Sequence, residues 1–183
     1  MPLSKESIYT AEDYWNLPEG RRAELIDGKL YDMAPPSYIH QKMILKLSRT
    51  IDQYIETSHG QCEVLPAPFA VNLTGNDKNW AEPDISVICD KSKLSDRGCE
   101  GAPDWIIEIV SPSTQKNDYG LKLFKYRTAK VREYWIVNPE RKMVNVYDFE
   151  HDSNTGIYSF EDEIPVGIYP GFSIRVEDLI SSL

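Results

Sequence analysis

The spacing of apolar and polar positions changes several times along the chain, and each change marks an element. In "HQKMILKLSRTIDQYIE", Met43, Ile44, Leu47, Ile51, Tyr54 and Ile55 fall on one stripe at helical spacing and predict the longest helix. "APPS" (34–37) breaks the chain just before it. Upstream, "AELIDGKLYDM" predicts a hairpin with Asp27-Gly28 in its tight turn. Downstream, "CEVLPAPFAVNL" reads as an irregular strand whose two prolines suit an edge or a bulge. "DISVIC" is a strand, and "DKSKLSDRGCEGAP" is a polar connection rich in turn residues. Trp105 to Val110 forms another strand. A helix over roughly 113–128 follows, with Ser111 or Ser113 as its cap and Pro112 tolerated in the first turn. "REYWIVN" and "KMVNVYDF" predict a strand hairpin, and the tail from Gly156 predicts short strands and a last helical turn. The alternation implies an α/β (α+β) domain, a central mixed sheet flanked by helices, with an added N-terminal hairpin and C-terminal strands.

One position breaks the pattern. In "PDWIIEIVSPST", Ile106, Glu108 and Val110 share one strand face, and Trp105, Ile107 and Ile109 share the other. Apolar residues on both faces imply a central strand covered on both sides, where a bare carboxylate is costly. Glu108 is then either a structural glutamate paired with a Lys or Arg, or a functional one that needs a partner. Two Pro-Asp pairs compete for that part. Asp104 lies on the same strand face at ~13 Å, too far to share an ion, and is read as a turn residue at the strand start. Asp84 opens the preceding strand, and strand pairing can set it beside Glu108. Two carboxylates with waters in the other positions suit an octahedral magnesium ion. On the following helix, Asp118, Lys122 and Tyr126 recur every four residues. They are either a surface pair with a neighbour or a set leaning over the strand ends, with Lys125 and Arg127 adding positive charge nearby.

Composition narrows the classes. A chain of 183 residues suits one compact domain over 1–183. It has no apolar run of membrane-span length, and its N-terminus lacks a signal-peptide core, so a cytoplasmic protein is expected. Cys62, Cys89 and Cys99 are odd in number and lack CxxC spacing, which predicts reduced thiols rather than a zinc site or a disulfide framework. The histidines show no HxxxH pattern, so a metal site would rest on carboxylates and favour hard ions such as Mg²⁺ or Mn²⁺. A net charge of −9 argues against a DNA-coating module, although a local basic patch and a bound cation can still hold a polyanion.

Taken in order, "ELIDGKLYDMAPPSYIHQ", "EPDISVICD", "GAPDWIIEIVSPST", "DYGLKLFKY" and "VREYWIVNPE" resemble the Uma family of restriction-endonuclease-like proteins, within the PD-(D/E)xK nuclease superfamily. The resemblance spans most of residues 20–140. It implies a restriction-endonuclease-like core, Asp84 and Glu108 as metal ligands with the Ile109 carbonyl beside them, and Mg²⁺ or Mn²⁺ as cofactor. The superfamily's lysine usually stands two residues after the second acid, where this chain has Val110, and the family's helix lysine, here Lys122, replaces it. Asp118 and Tyr126 match the same helix motif. Glu24 and Gln41 match positions that would face the site. His40 ends the apolar stripe of the long helix and is read as a packed residue.

The resulting expectation is a metal-dependent endonuclease hydrolysing DNA, working as a homodimer as nucleases of this fold often do, with catalytic residues Asp84, Glu108, Lys122, Glu24 and Gln41. A non-catalytic interaction protein that keeps the nuclease fold is the alternative, favoured by the acidic charge and by Val110. A two-carboxylate glycosidase needs aromatic platforms that Trp80 and Trp105 do not supply.

Overall fold

The computed structural model describes residues 8–112 and 114–181. Thr10 and Asp13 form a reciprocal capping box that starts α1 (Ala11–Trp15). The expected hairpin follows as β1 (Ala23–Ile26) and β2 (Lys29–Asp32). Its two turn residues, Asp27 (φ 51°) and Gly28 (φ 74°), take the left-handed conformation that a two-residue hairpin turn requires. Helix α2 (Tyr38–Thr57) begins at Ser37, whose hydroxyl accepts the His40 N–H at 3.2 Å. Its predicted stripe is buried at Met43, Ile44, Leu47, Ile51 and Ile55, each side chain contributing ~1.5–3 kcal/mol. Tyr54 is half-buried and stacks on Phe172.

The chain then runs through β3 (Glu63–Pro66), β4 (Val71–Asn72), β5 (Ile85–Ile88), a 3₁₀ turn (Lys91–Lys93), β6 (Leu94–Ser95), β7 (Gly98–Glu100) and β8 (Trp105–Ile109). The next helical run has three parts: α3 (Gln115–Asn117), a π-helical turn (Asp118–Lys122) and α4 (Leu123–Thr128). Strands β9 (Glu133–Asn138), β10 (Met143–Asp148), β11 (Gly156–Ser159), β12 (Ile164–Pro165) and β13 (Ser173–Ile174) lead to α5 (Val176–Ile180). No helix among the described residues is long and apolar enough to cross a membrane.

Six strands form the central sheet in the order β11-β10-β9-β8-β5-β3. Only β8 and β9 are parallel, and the helical run between them supplies the crossover that such a pair needs. The proline-bearing β3 takes an edge, as its sequence suggests. The two faces of β8 divide as their alternation requires. Trp105, Ile107 and Ile109 pack under α2, while Ile106 and Val110 pack with Tyr126 and Tyr134 on the other side. A smaller sheet, β4-β7-β6, borders that second face through Val71 and Cys99.

Two expectations need correction. Cys62 and Cys89 are joined by a disulfide, with Cα atoms 3.9 Å apart, and only Cys99 is free. The antiparallel register pairs Glu63 with Ile88, so the residues just outside each strand end fall opposite one another. Motif spacing searches for neighbours in sequence and does not see this cross-strand pair. The second correction concerns the helix over 113–128, which forms from Gln115 and contains the π turn. Of its two suggested caps, Ser113 lies outside the described residues. Ser111 instead accepts the Thr114 and Gln115 amides through its carbonyl oxygen.

Candidate active site

The antiparallel register of β5 and β8 sets the site. Ile85 pairs with Ile107, so Asp84, one residue before β5, stands across from Glu108. The two residues exchange contacts: the Asp84 amide points at Glu108 Oε2 (3.4 Å), and the Ile109 amide donates to Asp84 Oδ2 (2.8 Å). Asp104 does not share this place. Its Oδ2 accepts the Cys89 amide at 2.8 Å and its Oδ1 faces Arg132 at 3.2 Å, so it ties the start of β8 to its neighbours.

The helical run supplies the counter-charge. A π turn is wider than an α turn, and this one directs both Asp118 and Lys122 inward, at 1% and 5% exposure. Lys122 Nζ lies 2.9 Å from Glu108 Oε1, 3.0 Å from Glu24 Oε1 and 3.6 Å from Asp118 Oδ1. The surface-pair reading of Asp118 and Lys122 is therefore wrong. One turn on, the Tyr126 hydroxyl donates to Glu108 Oε1 at 2.7 Å. Oε1 is thus held by a lysine and a tyrosine, and Oε2 is left on the Asp84 side.

Glu24 shares in this cluster because β1 is buried along its whole length. Its carboxylate also accepts the Glu82 amide at 3.0 Å. Gln41 is exposed and lines the cleft, and its side chain makes no hydrogen bond among the described residues. Lys125 and Arg127 do not add their charge here. Lys125 pairs with Asp27, and Arg127 lies over the Phe149 ring.

Three carboxylates, on Glu24, Glu108 and Asp118, surround the Lys122 ammonium, and Asp84 stands beside Glu108. Burial pushes the Glu108 carboxyl well above the usual range, with Asp84, Asp118 and Glu24 adding to the rise and Lys122 opposing it. Burial also raises Asp118, against the pull of Lys122. For Lys122, burial alone would lower the pKa, but Glu108, Glu24 and Asp118 outweigh it and hold the amine charged. Carboxylates outnumber the ammonium, and Asp118 Oδ1 is buried without a hydrogen-bond partner among the described residues.

His40, read from sequence as a packed residue, reaches this cluster. Its Nε2 is 3.1 Å from Asp84 Oδ2. The apolar stripe of α2 points at the sheet, so the residue that begins the stripe reaches over the strand ends. That geometry was available in the helical spacing, which carries His40 in line with Ile44 and Leu47.

The site forms the floor of a cleft of about 930 Å³, walled by Tyr31, Met33, Pro35 and Pro36 on the hairpin side and by Val110 and Asn117 opposite. Among the described residues, no three His, Cys, Asp or Glu side chains gather tightly enough to hold an ion. The donor set on the floor is instead two carboxylates and the backbone around Ile109. Those oxygen donors fit a hard divalent cation, which needs few protein ligands when water fills the rest. The outer face of α2 carries Lys42, Lys46 and Arg49 at helical spacing, and none has an ion-pair partner among the described residues.

Comparison with known proteins agrees with this frame. A crystal structure described as a putative nuclease belonging to DUF820, from Anabaena variabilis, superposes with a TM-score of 0.75 at 21% identity, covering 94% of this chain and 97% of that one. The likeness carries the fold. An uncharacterized protein, slr1290 of Synechocystis, is 25% identical over 153 residues, which is 82% of this chain and 79% of that protein. The family described as "Uma2: Putative restriction endonuclease" matches residues 11–177. That match covers most of the chain, which belongs to the Uma2 family.

Proposed function

We propose that the protein is an endonuclease that hydrolyses DNA phosphodiester bonds with Mg²⁺ or Mn²⁺, held by Asp84, Glu108 and the Ile109 carbonyl. The observation that carries this reading is the meeting of two buried carboxylates from neighbouring strands beside one buried lysine, on the floor of an open cleft. When bound, the cation would polarise the phosphate, lower the pKa of an attacking water and stabilise the leaving oxygen. Lys122 and Tyr126 hold Glu108 Oε1, so Oε2 is kept as a donor beside Asp84. The Ile109 amide likewise fixes Asp84 Oδ2. The Lys122 charge offsets negative charge building on the phosphate, in a site where burial strengthens the interaction. Gln41 and Asn117 face the open cleft and can hydrogen-bond a bound strand. The unpaired cations of α2 supply the local basic surface that an acidic protein needs to hold a polyanion.

Purified protein should cleave plasmid or single-stranded DNA only with Mg²⁺ or Mn²⁺. Cleavage that persists in Asp84→Ala or Glu108→Ala would overturn the assignment. A non-catalytic binding protein is the second reading. It is favoured by one feature: Lys122 is already engaged by three carboxylates. Absence of Mn²⁺ binding by titration calorimetry would select it.

A further inference from the structure

The walls of the cleft differ in chemistry from its floor. Asp84 and Glu108 are 8% and 3% exposed, so a phosphate reaches them only by descending past the rim. On the way it meets Tyr31, Met33, Pro35, Pro36 and Ile39, from the hairpin side and the first turn of α2. Tyr31 pairs with Glu24 across the hairpin, so its ring stands on the same face as the carboxylate that contacts Lys122. The lysine and the arginine that line the cleft are already paired, Lys122 with Glu108 at 2.9 Å and Arg22 with Glu82 at 2.6 Å. A polyanion entering the cleft therefore finds apolar wall rather than free cations. Outside it, Tyr38, Lys42, Leu45 and Arg49 recur at helical spacing on the side of α2 away from its buried stripe. Tyr38 is 67% exposed and Leu45 59%.

We infer, resting on the endonuclease reading above, that the substrate of this cleft is unpaired DNA. Its bases lie against Tyr31 and the neighbouring apolar wall, and its backbone follows the outer face of α2. A duplex keeps its base faces stacked inside and presents phosphates and sugars, which an apolar wall neither hydrogen-bonds nor neutralises. It is also stiff over ~150 base pairs, so it does not bend into a recess of about 930 Å³. A single strand bends into such a recess and turns its base faces outward. Every base has a π face, so stacking on the Tyr31 ring holds it without regard to sequence. On α2, the exposed Tyr38 ring offers a second stacking surface, and Lys42 and Arg49 supply charge for the phosphates between. A single strand also brings one backbone toward the acidic floor, whereas a duplex brings two.

Fluorescence anisotropy in Ca²⁺, a hard cation that carboxylates accept, tests this, with gels confirming that no strand is cut. One labelled oligonucleotide is compared as a single strand, as a blunt duplex, and as a single strand with abasic sites in place of its central bases. Wild type should bind the single strand at least ~10-fold more tightly than the duplex and lose most of that advantage with the abasic strand, which keeps every phosphate. Tyr31→Ala should weaken single-strand binding roughly 5- to 100-fold and Tyr31→Phe should retain it, with thermal melts confirming that both variants fold. No preference for the single strand over the duplex, or an abasic strand bound as tightly as the intact one, would overturn the inference. With Mn²⁺, a duplex carrying an unpaired bubble should be cut inside the bubble, and cutting confined to its paired arms would overturn the inference while leaving the endonuclease reading standing. Single-strand preference with no cleavage of any substrate would keep the cleft as a site for unpaired DNA and overturn the endonuclease reading.

Discussion

Replacing Lys122 by Met tests the electrostatic logic of the site most directly. Methionine keeps the length and apolar stem of the side chain and removes only the ammonium. The lysine and its three partners are nearly buried, with side-chain exposures of 7% for Lys122, 8% for Glu24, 4% for Glu108 and 2% for Asp118. Solvent therefore screens these contacts little. Removing one member of a buried ion pair leaves the other uncompensated and costs ~3–5 kcal/mol. For a chain of this size, ~2–4 °C per kcal/mol gives a fall in Tm of ~6–20 °C. The pH dependence has a definite sign. Burial already raises the folded-state pKa of Glu108, so the folded state binds this proton more readily than the unfolded state. Without Lys122 that rise grows. The penalty should be largest at neutral and alkaline pH and shrink as acid protonates Glu108. Circular-dichroism melts between pH 5 and 8 measure it. Adding Glu108→Gln to the variant should recover part of the loss, with a coupling of ~0.5–3 kcal/mol. A single-variant cost below ~1 kcal/mol, or a cost independent of pH, would refute the view that Lys122 neutralises Glu108.

Reversing the three unpaired cations of α2 (Lys42→Glu, Lys46→Glu, Arg49→Glu) should weaken DNA binding and make its salt dependence shallower by ~2–3 in log–log slope, read by fluorescence anisotropy. Unchanged affinity and slope would remove α2 as a phosphate-contacting face. Asp104→Ala should cost ~1–3 kcal/mol by stripping the Cys89 amide and Arg132 of their acceptor, yet leave Mn²⁺ affinity as in wild type; a lost metal site would refute its structural role. Reducing the Cys62–Cys89 bond, which closes a loop of 27 residues, should lower stability by ~3–4 kcal/mol in urea titrations with and without reductant.

Much of the frame was legible because it depends on periodicity. The hairpin at Asp27-Gly28, the buried stripe of α2 and the two-faced burial of β8 follow from residue spacing alone. The rejection of Asp104 also followed from spacing, since strand rise puts it too far from Glu108. Other features depend on register and were hidden. The disulfide requires β3 to pair with β5 in one alignment. The place of Glu24, expected only from the family resemblance and not from spacing, requires the hairpin to fold against the helical run, which leaves it 6% exposed. The π turn has no sequence signature, yet it places Asp118 and Lys122 together on the inside. His40 was misjudged for a different reason. The rule that a histidine on an apolar stripe is packed holds inside the stripe, but His40 stands at its end, where the core gives way to the cleft.

The displaced lysine also bears on how the site works. A lysine at position 110 would sit on a strand whose backbone is fixed to both neighbours, and its charge would come with the sheet. Val110 instead packs into the second core cluster, and its amide donates to the Val137 carbonyl at 2.9 Å. The ammonium arrives from the helical run and is clamped by Glu24 on β1, Glu108 on β8 and Asp118 on its own π turn. Three chain segments that are distant in sequence must therefore be in place before the charge is. Glu24 contacts the lysine at 3.0 Å and is not a proposed metal ligand, so Glu24→Gln should weaken the clamp while leaving the proposed ligands in place. That variant should keep Mn²⁺ affinity near that of wild type while slowing DNA cleavage. If the two fell together, Glu24 would belong to the metal site itself rather than to the positioning of Lys122.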